Sequence, residues 1–352
     1  MDDSRKEDMA DSTAEKLIAS LLDYNEKYAH FTWIGGEPLL RNDSFFESIR
    51  NFQKRSNNKN LLITNSIQTN GILLDHKRKE YLGNLGFRFG SSYDGCLDLQ
   101  DALRITKNGN KVGEKVLENI RSANKSLSLI SVLTKNMIGR EEEVYSNLKN
   151  LGRRARVNFY TPSGHGLGMK DELLPSKEET QGSMRKFYEL WKGDKDNFVL
   201  DPFDGLVQGF FLGWPKTCEY SAYSCYRIIS SDPRGMIYMC PRSTHIEETK
   251  LGNIHENSIK DIVGSVAHNL VLDRYFNLKE GDCKGCEWIS MCSGGCPVES
   301  ISNHGDIMKK TYYCQVKKSL FEIINNCAGY FIGKFLSSFT SMDIVDRLLG
   351  CS

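Results

Sequence analysis

Over the first 160 residues the chain alternates between two spacings of apolar side chains. Where they recur every third or fourth position the spacing predicts helices: Ala14–Tyr28, with Leu17, Leu21, Leu22 and Tyr24 among charged residues, then Phe45–Arg55, Leu73–Leu85, Val112–Ala123 and Glu141–Leu151. Short runs bounded by Gly, Asn or Asp predict strands at His30–Ile34, Leu61–Gln68, Phe87–Tyr93, Leu127–Leu133 and Arg156–Tyr160. Five strands with helices between them imply an α/β body with a mostly parallel sheet and right-handed crossovers. Met184–Trp191 reads as a short helix and Asp194–Leu200 as a connector. The greasiest stretch, Phe321–Phe339, is interrupted by Glu322, Asn325, Asn326 and Lys334, which predicts a buried or docking helix rather than a bilayer crossing.

In such sheets the working surface lies at the carboxyl ends of the strands. The sequence places glycines and polar residues there three times: Gly35-Gly36-Glu37-Pro38, Gln68-Thr69-Asn70-Gly71, and Ser91 to Gly95. Any βα turn prefers this chemistry, so one such loop means little; three at successive strand ends point to a ligand site. Glu37 either pairs with a cationic group of that ligand or caps the next helix.

The composition is that of a water-soluble globular chain, with 26% charged residues and a net charge of +1. No global field would gather nucleic acid or an anionic bilayer. Met1–Glu15 has no apolar core of a signal peptide, so the expected setting is a reducing cytoplasm, where cysteines serve as thiolates rather than disulfides.

The eleven cysteines change the picture. Only Cys96 precedes residue 218, and eight lie between Cys218 and Cys314. Their pattern is Cys218-x6-Cys225-x14-Cys240, then a gap of 42 residues, then Cys283-x2-Cys286-x5-Cys292-x3-Cys296-x17-Cys314. Eight thiolates make two sets of four, and a [4Fe–4S] cube asks for four. The Cys283-x2-Cys286 chelate lets adjacent amides turn toward bound sulfur. Ser293-Gly294-Gly295 offers the close approach a bulky cluster needs. Structural zinc also takes Cys-x2-Cys and four thiolates, and spacing alone leaves it open. Cys96, Cys327 and Cys351 read as core or surface thiols, and His245 and His255, without ligand spacing, as structural. Lys309, Lys310, Lys317 and Lys318 bracket Cys314; they either offset cluster charge or are solvated.

Taken together, the chain over roughly residues 10–325 resembles the radical S-adenosylmethionine (SAM) enzymes with a SPASM/twitch auxiliary-cluster domain, in the anaerobic sulfatase-maturase and peptide-maturase branch. Trp33 to Leu40 is similar to the family motif whose backbone and acid hold the methionine amino group of the cofactor. Ser66 to Gly71, Ser92-Tyr93-Asp94-Gly95 and Ser131-Val132-Leu133-Thr134 are similar to the strand motifs that follow. The resemblance implies cofactor contacts at Gly35, Gly36, Glu37, Gln68, Asn70, Ser92, Asp94 and Ser131. It implies two auxiliary [4Fe–4S] clusters, one on Cys218, Cys225, Cys240 and Cys296, the other on Cys283, Cys286, Cys292 and Cys314, and it disfavours zinc. The expected layout is a partial (β/α)6-type barrel over 1–175, a helical connector over 176–217, a cysteine-rich α+β SPASM domain over 218–325 and a C-terminal helix or tail over 326–352. Expected partners are a peptide or protein substrate and an electron donor such as a flavodoxin or ferredoxin, with no nucleic acid and no membrane.

Two departures qualify the expectation. The family holds its cofactor cluster on a Cys-x3-Cys-x2-Cys loop after the first strand, upstream of Gly-Gly-Glu-Pro, and here no cysteine precedes Cys96. The first strand and the radical-generating [4Fe–4S] cluster are therefore expected to be missing, which makes the chain inactive as given. It is read as an N-terminally truncated product or one with a late start, with a degenerate member as the alternative. SAM and a third cluster are expected only with the missing segment. Second, Pro241 stands where sulfatase-maturing members tend to carry an Asp after the cysteine matching Cys240. Proline accepts no proton, which points away from formylglycine and toward another peptide modification, such as thioether or carbon–carbon crosslinking. The competing function is a non-catalytic iron–sulfur scaffold or peptide-binding partner.

Overall fold

The structure, a computed structural model, describes residues 7–106, 108–163, 166, 168–215 and 217–327. The first half runs α1 (Asp11–Tyr24), β1 (Tyr28–Trp33), α2 (Asp43–Ser56), β2 (Leu62–Thr69), α3 (His76–Asn84), β3 (Phe87–Ser92), α4 (Leu97–Leu103), α5 (Gly113–Ser122), β4 (Lys125–Leu133), α6 (Glu141–Leu151) and β5 (Gly152–Phe159). It continues through α7 (Lys170–Leu173), α8 (Lys177–Gly193), β6 (Val199–Asp201) and α9 (Phe203–Leu212). One six-stranded sheet has the order β1 to β6, and β1–β2, β2–β3 and β5–β6 pair in parallel. This parallel sheet fits the partial (β/α)6-type barrel expected from the sequence.

The five expected strands are present, and β6 is a sixth, formed inside the stretch read as a connector. Three residues are too few to show a period, and only pairing Arg154–Arg156 with Val199–Asp201 makes them a strand. Helix α8 begins well before Met184: Ser176 accepts from the Glu179 amide while the Glu179 carboxylate takes the Ser176 amide, a capping box that starts the helix through two polar turns. Of the expected helix over 321–339, the structure shows residues through Asn326 as the end of a longer helix; positions 328–352 lie outside the described residues.

The chain forms two compact units. The first takes Met1–Tyr93, Arg104–Leu127 and Ile228–Leu270. In it the odd-numbered side chains of β1–β3 face the helices. Trp33, Phe45, Phe46 and Phe87 pack edge to face there, and Trp33 and Gln53 both donate to Asn65 Oδ1, at 3.1 and 3.0 Å. After the short α10 (Ala222–Tyr226) of the second unit, the first unit holds an antiparallel sheet of β7 (Ser230–Ser231), β8 (Met236–Tyr238) and β9 (Lys250–Asn253), followed by α11 (Ile259–Ile262). Ile237, Ile254, Ile259 and Ile262 form a core on which Leu17 and Leu21 of α1 pack. Thr13 Oγ1 lies 3.2 Å from His255 Nε2, so this histidine joins α1 to the loop after β9.

The second unit takes Asp94–Leu103, Ser128–Arg227 and the chain from Val271 onward. Tyr188, Trp191 and Phe203 pack together behind β6, and Lys149 pairs with Asp194 at 2.8 Å. Helix α12 (Val266–Glu280) leads into α13 (Ile289–Cys292), α14 (Pro297–His304) and α15 (Cys314–Asn326). No described helix is long and apolar enough to cross a membrane.

Candidate functional site

At the carboxyl end of β1 nothing stands within 4 Å of where a Cβ would project from Gly35 or Gly36, so the backbone there is open to a ligand. Glu37 does more than either sequence expectation. It caps the 3-10 turn Pro38–Leu40 by accepting from the Leu39 amide at 3.1 Å, and it also accepts from Thr69 Oγ1 at 2.6 Å and the Asn70 amide at 2.7 Å. The carboxylate thus fastens the β1 loop to the β2 loop. A carboxylate has about four acceptor sites, and three are filled, leaving one for a donor arriving at Gly35-Gly36. Glu37→Gln turns an acceptor into an NH2 facing donors and is expected to cost about 2 kcal/mol, measurable as a shift in the urea midpoint at unchanged slope.

Even-numbered residues of β1–β3 line the opposite face. Gln68 lies across Gly90, its registered partner on β3, with Oε1 2.1 Å from where a Cβ of residue 90 would be. Only glycine leaves room for this. The Gln68 Nε2 is buried and has no hydrogen-bond partner, a donor left for a bound group. Ser92 shares this face by alternation. So does His30, whose ring meets Thr64 Oγ1 at 2.7 Å, Thr32 Oγ1 at 3.1 Å and Ser66 Oγ at 3.2 Å. Burial first and Arg88 second hold the His30 pKa below the ordinary value, favouring the neutral ring. Nothing in the sequence marked His30; its period-two register with Thr32 was the available signal.

In the second unit Asp94 is buried; its amide donates to Gln100 Oε1 at 3.0 Å and its Oδ1 accepts from the Val132 amide at 3.3 Å. Ser131 alternates with Leu129 and Leu133 on the buried face of β4, and its hydroxyl has no partner.

Four of the eight array cysteines surround one cavity. Cys283, Cys286, Cys292 and Cys314 line it with Trp288, Ile289, Gly294, Lys310, Thr311, Lys318 and Phe321, around a small void of about 20 Å³. All four are reduced thiols. Burial pushes Cys292 up to about 12, with Lys317 pulling the other way, and burial followed by Cys314 and Cys286 raises Cys283. Among the described residues no three His, Cys, Asp or Glu side chains close on a single ion. A polynuclear cluster spreads its thiolates over several irons and does not ask for that. The donor set fits such a group: four thiols, two cationic side chains, and the Trp288 indole N–H buried without a partner. Cys218, Cys225 and Cys240 are half-buried and Cys296 buried. Cys96 is buried, its thiol pushed to about 11 mainly by burial, and Cys327 accepts from Lys192 at 3.3 Å. Cys351 lies outside the described residues.

The loop between Cys292 and Cys296 is held by Arg274, which is 2% exposed. Its guanidinium donates to the carbonyls of Ile307 at 2.6 Å, Lys309 at 2.7 Å, Gly294 and Gly295 at 2.9 Å and Ser293 at 3.4 Å, and to Ser300 Oγ at 2.9 Å. Ser293, Gly294 and Gly295 all adopt positive φ, at 49°, 76° and 81°. A Cβ on Gly295 would stand 2.3 Å from Thr311 Cβ.

Comparison with known proteins fits this geometry. Residues 221–287 match SPASM, an iron–sulfur cluster-binding domain. The chain is 28% identical over 324 residues to the cysteine-type anaerobic sulfatase-maturating enzyme of Clostridium perfringens, covering 89% of this chain and 86% of that protein. It is 26% identical to the serine-type enzyme of Klebsiella aerogenes, covering 76% and 66%. The solved structure of anSMEcpe with bound AdoMet and Cp18Cys peptide superposes with a TM-score of 0.80 at 24% identity, over 92% of each chain. SuiB of Streptococcus suis bound to S-adenosylmethionine gives 0.56 at 16% identity, over 87% of this chain and 70% of that one. The SPASM domain thus lies within residues 221–287, and over most of its length the chain is similar to radical SAM/SPASM enzymes. Within them it is related to the anaerobic sulfatase- and peptide-maturating enzymes, and its sequence carries no Cys-x3-Cys-x2-Cys segment.

Proposed function

We propose that this protein modifies a peptide or protein substrate by radical SAM chemistry, and that the observation carrying the reading is the ring of four thiols with an orphaned indole donor inside the SPASM region. Cys283, Cys286, Cys292 and Cys314 would hold one [4Fe–4S] cluster, and Cys218, Cys225, Cys240 and Cys296 the other. The open backbone at Gly35-Gly36, the spare acceptor of Glu37 and the unpaired Gln68 amide would hold the cofactor's amino-acid end, with Asn70, Ser92, Asp94 and Ser131 in the supporting loops and strands. A further [4Fe–4S] cluster would supply the hydrogen-abstracting chemistry on SAM only together with a Cys-x3-Cys-x2-Cys segment, which this sequence does not carry. This chain's residues bind and orient. Relatives solved with peptides support a peptide substrate, and a flavodoxin or ferredoxin would supply electrons. Pro241 after Cys240 supports a modification other than formylglycine formation.

The test combines three measurements on anaerobically reconstituted protein: iron and sulfide, binding of labelled SAM, and release of 5′-deoxyadenosine. About eight irons per chain with SAM binding lost in Glu37→Gln supports the site. Deoxyadenosine release that depends on supplying a segment with Cys-x3-Cys-x2-Cys supports the enzyme reading. Eight irons without SAM binding, with or without that segment, would establish the scaffold instead.

A further inference from the structure

Lys317 sits one turn beyond Cys314 on α15 and is 0% exposed. An ammonium has three donors, yet its hydrogen bond is to the Glu219 carbonyl at 3.4 Å, and its other neighbours are ring faces, Tyr220 at 4.0 Å and Phe159 at 5.3 Å. Among the described residues no carboxylate pairs with it. Two more donors close by are unsatisfied: the hydroxyl of Tyr220, 1% exposed, and the Trp288 indole. Tyr220 and Trp288 both pack on Phe321. A buried cation and two buried donors without acceptors are costly unless an anion completes them. Phe321 also lines the cavity of the four cysteines, and Lys317 stands one turn from Cys314 on the same helix. The remaining charged groups facing this region are Arg274, Lys310 and Lys318, together with Glu219, already paired to Arg156 at 3.3 Å.

We propose that Lys317 is a positioning residue that raises the reduction potential of the cluster held by Cys283, Cys286, Cys292 and Cys314. This rests on the reading that these four cysteines hold a [4Fe–4S] cluster. Four thiolates outweigh the core's positive charge, so the group is an anion, and one-electron reduction from [4Fe–4S]2+ to [4Fe–4S]1+ makes it more so. A fixed, buried cation favours the reduced form. Lys309 and Lys310 are exposed and screened by solvent, and Arg274 is engaged by five carbonyls and a hydroxyl, which leaves the charge of Lys317 least compensated. A cluster poised this way accepts an electron from a substrate radical more readily.

The experiment is a potentiometric titration of the full reconstituted chain with dithionite as electron source, followed by EPR. The signal lost in Cys283→Ser identifies the cluster. Lys317→Met is expected to shift that cluster's reduction equilibrium at least tenfold toward the oxidised form, about 59 mV lower for one electron, with iron content unchanged. Lys317→Arg is expected to stay within threefold of the parent, and Lys317→Gln gives a polar neutral replacement should the methionine variant not fold. An unmoved potential at full iron content overturns the proposal, as does loss of about four irons in both neutral variants, which would make Lys317 a retention residue. Full iron in Cys283→Ser overturns instead the ligand assignment beneath it.

Discussion

A Cys292→Ser protein, reconstituted without oxygen, is expected to carry about four irons fewer per chain than its parent. Burial pushes the Cys292 pKa up to about 12, with Lys317 pulling the other way. An isolated thiolate there is unfavourable, and only a bound cation can hold it ionised. Serine supplies a far weaker ligand at the same place. Iron and acid-labile sulfide report the loss directly, and the 400 nm absorbance should fall with them. A variant that kept its full iron would show that the cavity is not a cluster site and that the array is used differently.

Arg274→Met is expected to lower the stability of the reconstituted protein by roughly 3–5 kcal/mol, read from urea unfolding. The side chain donates to five carbonyls and one hydroxyl, all from the turns around Cys292, Cys296 and the segment before Cys314. Methionine fills most of the volume and leaves those acceptors buried without donors. Arg274→Lys should recover little, because a point-like ammonium cannot serve carbonyls spread around a planar fork. Recovery close to the parent with lysine would mean that charge, and not the fork, is what the loop requires.

The parallel sheet was legible because its strands alternate with helices of clear period, and the strand-end loops because glycine and Asn-Gly punctuate them. The cysteine ladder was legible from spacing, and the structure brings Cys283, Cys286, Cys292 and Cys314 to one cavity. Arg274 was not legible. It lies in a helix without a marked apolar face, and its partners are 19 to 35 residues away, a distance no local pattern spans. Lys317 was named among four lysines, yet its burial went unread. The signal was its place beside Val316, one turn from Leu320 and Phe321 and two from Ile324, on the face of α15 that enters the core. Glu37 was read as a choice between cap and ligand because bonds to Thr69 and Asn70 exist only once β1 and β2 pair.

The packing of α1 sets the order in which the chain can become native. Leu17 and Leu21 cover isoleucines of β8, α11 and the loop between them, and Thr13 meets His255 across 242 residues of sequence. A ribosome adding residues one at a time exposes that partner surface only after 242 further residues have been made, at roughly 5–20 residues per second. Until then the apolar stripe of α1 must stay with water or a chaperone. Such a far-separated contact makes for slow closure, so expression at low temperature, with iron supplied before synthesis ends, should raise the yield of loaded protein over iron added afterwards.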